Sequence, residues 1–150
     1  VPTTLETPSR VLIVDDSVRF RATLREALAK QPDIEVVGEA GSAKEAFALI
    51  DETNPSLILL DIRMPETSGI AAAKILKKNR PDIKIILLSG YDYDQYVRAA
   101  SRAGIEGYVL KDASFDIIAH GIRVVAGGGS MLSPTVAIKA FRSDAAQVAN

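Results

Sequence analysis

The stretch "VLIVDDSVRF", residues 11–20, decides how the rest of the chain is read. Four apolar residues, Val11 to Val14, run without a polar interruption, as in a strand covered on both faces. Two aspartates, Asp15 and Asp16, then stand side by side, and a helical pattern starts at once. Like charges at the end of a buried strand raise the energy of a fold, so this pair demands a counter-charge.

Similar apolar runs recur at "IEVVGEA" (34–40), "LILL" (57–60), "IILL" (85–88) and "YVL" (108–110). Helical patterns separate them. Phe20, Leu24, Ala27 and Leu28 form one apolar stripe, with Arg19, Arg21, Arg25 and Glu26 off it. "SAKE" (42–45) reads as a capping box, with Ala46, Phe47 and Ile50 on the inner side of the helix it opens. Asn54-Pro55 stops that helix. A third helix runs from about Ser68 to Asn79, ahead of Pro81. A fourth runs from about Asp92 to Ala103, with Gly104 as its C-terminal glycine. A fifth opens near Ser114, sets Ile118, Ile122 and Val125 on one face, and ends at Gly127-Gly128-Gly129. Five strand–helix units in strict alternation predict an α/β fold. Right-handed crossovers then favour a flavodoxin-like, doubly wound five-stranded parallel sheet, order 2-1-3-4-5, with helices on both faces.

The chain has 150 residues, 47% hydrophobic and 25% charged, which suits one domain with a sizeable core. The expected division is a loose tail over residues 1–9, the domain over 10–128, and a linker over 129–150. Within that linker Ser133-Pro134 opens a short helix at about 134–142. A net charge of −1 leaves no global basic footprint for nucleic acid. The absence of cysteine excludes disulfides, thiolate metal sites and a cysteine nucleophile. No apolar run approaches the roughly 18 residues of a membrane span, and no secretory signal is visible. A cytoplasmic protein is expected. "KILKK" (74–78) reads as a solvated helix face, and His120, the single histidine, as a partly exposed structural residue.

The expected strand order brings the ends of strands 1, 3, 4 and 5 to one edge, where ligands bind in such sheets. Those ends carry Asp15 and Asp16, Asp61, Ser89 and Lys111. Three carboxylates stay ionised together only with a cation among them; otherwise one takes a proton. An all-oxygen set with an open mouth suits Mg²⁺, which takes one or two carboxylates, waters and a phosphate oxygen. Asp61, at the centre, is placed to act as a nucleophile and form an acyl phosphate. Ser89 can donate to one phosphoryl oxygen and Lys111 can pair with another. Each residue alone has a plainer reading: an N-cap beside a solvated neighbour, a turn serine before Gly90, a surface lysine.

The pieces "VDD", "LLDIRMPETSG", "LLSG" and "GYVLKD", in that order, make the chain resemble the receiver domain of bacterial two-component response regulators over about residues 10–127. The resemblance implies that Asp61 is the phospho-acceptor and Asp16 the direct Mg²⁺ ligand. It further implies that Asp15 orients a metal-bound water and that the main-chain carbonyl of Arg63 completes the ligands. Ser89 matches the switch hydroxyl, Lys111 the lysine that pairs with the phosphoryl group, and Tyr108 the aromatic switch that turns inward with Ser89. Many receivers follow the lysine with proline; Asp112 stands here instead. "GYVLKDAS" and "GGGSMLSP" are similar to the NarL/FixJ (LuxR-type) group, whose members carry a C-terminal helix-turn-helix that these residues do not include. Arg63 and Tyr91 each lie two residues past a site residue, at the expected mouth of the pocket.

The resemblance implies a switch rather than a turnover enzyme, with a sensor histidine kinase as phospho-donor, self-catalysed phosphorylation and dephosphorylation, and a possible homodimer. Transcription control would run through the DNA-binding domain absent from this chain. A stand-alone receiver working by protein contacts is the variant. A Mg²⁺-dependent phosphatase with an aspartyl-phosphate intermediate would want an acid two residues after its nucleophile, where Arg63 stands. A flavin carrier would want a Ser/Thr/Gly-rich phosphate loop after strand 1, where two aspartates stand.

Overall fold

A computed structural model describes residues 7–132 and Val136. Residues 1–6 of the tail expected over 1–9 and, apart from Val136, the expected helix at 134–142 lie outside the described residues. The strands are β1 (Ser9–Val14), β2 (Ile34–Ala40), β3 (Leu57–Asp61), β4 (Lys84–Ser89), β5 (Gly107–Leu110) and β6 (Met131–Leu132). The helices are α1 (Val18–Leu28), α2 (Ala43–Thr53), α3 (Gly69–Asn79), α4 (Asp94–Arg102) and α5 (Phe115–Ala126).

The sheet order is β2-β1-β3-β4-β5-β6 and every pair is parallel. The flavodoxin-like order read from the sequence is therefore the order of the first five strands. The two-residue β6 adds an edge, with Met131 and Leu132 beside Gly107 and Tyr108. A strand that short has no periodicity to read. Gly121 of α5 leaves room beside it: a Cβ there would meet the Met131 side chain at 3.1 Å, a tight contact.

Alternation along the strands splits the core in two. Leu12, Val14, Ile58, Leu60, Ile85 and Leu87 face α2, α3 and α4, in the cluster that also buries Val136. Val11, Ile13, Leu57, Leu59, Ile86 and Leu88 face α1 and α5. These runs of Leu, Ile and Val are buried on both faces, which is why they read as continuous rather than alternating.

The helix starts are set by caps. Ser17, Ser42, Ser68 and Ser114 each accept a backbone N–H three residues on. The capping box at Ser42 closes one residue early: the Glu45 carboxylate accepts from Gly41 N–H at 2.7 Å. Asn54 ends α2 in the left-handed region at φ 47, and Gly104 follows α4 at φ 72.

Three local expectations are corrected. Ser9, read as tail, is buried in β1 and donates its N–H to Asp33 O at 2.9 Å. Helix α4 begins at Asp94 rather than Asp92, with Tyr93 in non-helical backbone at its N-cap (φ -55, ψ 138) and no side-chain cap hydrogen bond. Lys77 of "KILKK" turns inward, donating to Ile83 O at 2.9 Å and pairing with Glu106, which draws the base of α3 onto the start of β5.

Candidate functional site

Register delivers the site residues to one edge. Val14 lies beside Leu60, so Asp15 and Asp61 follow at the same level on adjacent strands. Asp61 pairs with Leu88, which puts Ser89 one step further out, and Ser89 pairs with Leu110, which puts Lys111 one step beyond that. The four strand ends form a shallow staircase around a cavity of about 330 Å³ lined by Asp16, Asp61, Arg63, Ser89, Gly90, Tyr91 and Lys111.

Asp15 is buried and Asp16 exposed. The Ser17 N–H donates to Asp15 Oδ1 at 2.8 Å. The Lys111 ammonium stands 2.6 Å from Asp15 Oδ2 and 3.3 Å from Asp61 Oδ2. Asp61 is buried, and its Oδ1 accepts the Arg63 N–H at 3.3 Å. Burial, then the nearby charge of Asp15, pushes the Asp61 carboxyl up from 3.8 to about 6, against the opposing pull of Lys111. Burial works against the charge on Lys111, but its bond to Asp15 and the charges of Asp61 and Asp15 outweigh that and hold its pKa above the ordinary value.

The loop from β3 into α3 approaches Asp61 closely. Gly69 N–H donates to Ile62 O at 2.7 Å, and a Cβ on Gly69 would lie 2.0 Å from the Asp61 carbonyl oxygen. Only glycine permits that approach. On the β4 side, Ser89 is buried and its Oγ accepts the Tyr91 N–H at 3.0 Å. Tyr108 is already inward, 1% exposed, and its hydroxyl donates to Tyr91 O at 2.7 Å. Burial pushes its phenol up to about 12, with Ser89 opposing. Lys111 N–H donates to Ser89 O at 2.8 Å and Ala113 N–H to Leu110 O at 3.0 Å, which closes the loop that holds Asp112 as a tight turn.

Arg63 and Tyr91 meet at the mouth, with the guanidinium carbon 5.0 Å from the ring centroid. Tyr91 stacks in turn on Tyr93, at 5.1 Å. Of the eight site residues named from the sequence, Asp16, Asp61, Arg63, Ser89, Tyr91 and Lys111 line the cavity, Asp15 and Tyr108 stand behind it on Lys111 and the Tyr91 carbonyl, and His120 is exposed elsewhere on α5. Three contributors escaped notice. Ser17 links Asp15 to α1, Arg21 donates to the Asp15 carbonyl, and Phe20 places its ring 4.6 Å from the Lys111 ammonium. Phe20 was legible only as part of an apolar stripe, because its second contact comes from a residue 91 positions away along the chain.

Among the described residues, Asp15, Asp16 and Asp61 form the one acidic cluster suited to a metal ion, each offering a ligand oxygen within 4.8 Å of the others. An all-carboxylate set of this kind fits a hard divalent cation such as Mg²⁺. No helix among the described residues is long and apolar enough to cross a membrane.

The chain is similar in sequence and fold to proteins of one family. Residues 11–123 match the response regulator receiver domain. The response regulator protein VraR of Staphylococcus aureus is 40% identical over 130 residues, covering 87% of this chain and 62% of VraR. The transcriptional regulatory protein DegU of Brevibacillus brevis is 35% identical over 140 residues, covering 91% of this chain and 59% of DegU. The chain therefore spans about three fifths of the length of these relatives. A LuxR-family two-component response regulator from an Aurantimonas species superposes with a TM-score of 0.86 at 26% identity, over 93% of this chain and 99% of that one. The receiver domain of the putative response regulator NarL from Mycobacterium tuberculosis does so with 0.77 at 31% identity, over 81% and 98%. The matched segment runs from the first strand into the fifth helix, and the chain belongs to the response regulator receiver family, within its NarL/FixJ group.

Proposed function

We propose that Asp61 accepts a phosphoryl group from the phosphohistidine of a sensor kinase, with Mg²⁺ held by Asp15, Asp16, Asp61 and the Arg63 carbonyl. One observation carries the reading: Asp15, Asp16 and Asp61 cluster around one ammonium, and Asp16, Asp61 and Lys111 line a small open cavity. Bound Mg²⁺ supplies the positive charge that lets an anionic carboxylate and an anionic phosphoryl group approach. Asp61 Oδ forms the new P–O bond as the donor P–N bond breaks; the imidazole keeps the electron pair and takes a proton from solvent. Water later cleaves the acyl phosphate, returning the carboxylate and inorganic phosphate. Both steps use the pocket's own groups, so the domain helps catalyse its own phosphorylation and dephosphorylation without being a turnover enzyme.

The added group brings about two negative charges. Lys111 shifts from Asp15 toward a phosphoryl oxygen, and Ser89 exchanges the Tyr91 N–H for another. The Tyr91 carbonyl holds the Tyr108 hydroxyl, so movement of that loop reaches β5 through Tyr108 and alters the surface of α4, β5 and α5. That surface is where partner choice, including a second copy of the chain, would change. In the complete protein the output is transcription, through a DNA-binding domain joined to the receiver unit by the expected linker over residues 129–150, whose start forms β6 at the edge of the receiver sheet, and the setting is the cytoplasm.

The experiment is intact-mass spectrometry after incubation with acetyl phosphate and Mg²⁺, comparing the parent chain with Asp61→Ala. One phosphoryl group on the parent and none on the variant is expected. No gain on the parent, or gain on both, overturns the reading.

A further inference from the structure

Lys111 carries a charge that must stand in one place, on a stem of four rotatable carbons with its side chain 24% exposed. Left to itself such a side chain samples many rotamers, and ordering it costs conformational entropy. The two carboxylates account for one side of the ammonium, at 2.6 and 3.3 Å. The Phe20 ring, 4.6 Å away at its centroid, covers another.

We propose that Phe20 is a positioning residue for the pocket: its ring holds the Lys111 ammonium against Asp15 and Asp61, and so fixes where a phosphoryl oxygen meets positive charge. The attraction is that of a cation for the electron-rich face of an aromatic ring. A ring face accepts no strong hydrogen bond, so the N–H donors of Lys111 remain for the carboxylates and for an incoming phosphoryl group. A polar side chain in the same place would compete for them.

Phe20 is itself held by the site it serves. Its N–H donates to Ser17 Oγ at 3.1 Å, and Ser17 N–H donates to Asp15 Oδ1 at 2.8 Å. Asp15 Oδ2 meets Lys111, and Lys111 meets the Phe20 ring. Asp15, Ser17, Phe20 and Lys111 thus form a closed circuit across β1, α1 and the end of β5. The ring packs against the α1 and α5 side of the core but is not enclosed by it. Leu24 and Leu28 of the same stripe are fully buried, whereas Phe20 is only partly so and lies at the pocket end of α1.

The inference rests on the phosphorylation reading for its purpose but not for its first test. In metal-free protein at one fixed pH, the rate at which an amine-acetylating reagent modifies Lys111 is read by peptide mass spectrometry. The exposed Lys74 and Lys78 serve as reference and the inward-turned Lys77 as a control for loosening. Phe20→Leu keeps apolar bulk but removes the ring face, and Lys111 modification should rise roughly three- to tenfold. Phe20→Tyr keeps the face and should stay near the parent rate. The same pair, treated with acetyl phosphate and Mg²⁺, should show slower labelling of Asp61 for Leu and near-parent labelling for Tyr. An unchanged rate for Leu, equal rates for Leu and Tyr, or a gain at Lys111 matched at Lys77 overturns the proposal. If the lysine result holds but the parent never gains a phosphoryl group, the functional reading falls and the positioning role stands.

Discussion

Lys111 pairs more closely with Asp15, at 2.6 Å, than with Asp61, at 3.3 Å. The lysine therefore serves as the internal counter-charge for the doubled aspartate that opens the active edge. Breaking a fully buried pair costs about 3–5 kcal/mol. Lys111 is partly in solvent, which screens the pair, so Lys111→Ala should lose about 1–3 kcal/mol. The loss should be largest in chelator and should shrink when Mg²⁺ is added, since a divalent ion replaces the missing charge. Urea denaturation in the two conditions measures both numbers.

The Asp61 carboxyl is raised from 3.8 to about 6 by burial and by Asp15. The folded protein thus binds that proton more tightly than the unfolded chain does. The resulting stabilisation is complete below 3.8 and is lost as the pH rises through about 6. At neutral pH, without metal, the ionised carboxylate is a burden on the fold. Asp61→Asn should then be more stable than the parent, by on the order of 2–3 kcal/mol. That gain should vanish as the pH falls toward 3.8, and thermal melts across this window in chelator test the sign.

At the mouth of the pocket, the Arg63 guanidinium lies over the Tyr91 ring at 5.0 Å. Both side chains line the cavity that holds Asp61, where such a pair would narrow the approach of water. Tyr91→Ala should speed the hydrolysis of phospho-Asp61 by roughly two- to fivefold, the scale of an exposed cation–π contact. Decay of the phosphorylated mass with time measures it; an unchanged or slower decay removes the pair from the mechanism.

Gly69 sits where a Cβ would overlap the Asp61 carbonyl. Gly69→Ala must push α3 away from β3, at about 1–3 kcal/mol or more. Because the shift acts on the backbone of Asp61, the proposed phospho-acceptor, labelling by acetyl phosphate should fall with it. A variant that melts at the parent temperature and labels normally would mean that this turn is not tight in solution.

Removing the Tyr108 hydroxyl removes the 2.7 Å bond to the Tyr91 carbonyl. Tyr108→Phe should cost about 1 kcal/mol. It should also loosen the segment from Gly90 to Tyr93, seen as faster amide exchange there and not in β1 or β3.

Much of this was legible in the chain because it depends on near neighbours. Continuous apolar runs follow from strands buried on both faces, as Leu57 to Leu60 are. Serine caps, the left-handed Asn54 and the glycine after α4 obey local backbone rules. Strict alternation of strand and helix, with right-handed crossovers, then leaves few sheet orders, and all of them gather Asp15, Asp16 and Asp61 on one edge.

What the chain could not disclose is set by distance in sequence. Register alone decides that Asp15 and Asp61 stand level while Ser89 and Lys111 step outward. That stagger makes Lys111 a partner of Asp15 first and Asp61 second. The contact of Phe20 with Lys111, the tilt of Arg63 over Tyr91 and the inward turn of Lys77 each join residues whose spacing carries no signal. Charge and ring geometry act through space over a few ångströms, so only the folded chain determines which groups they join.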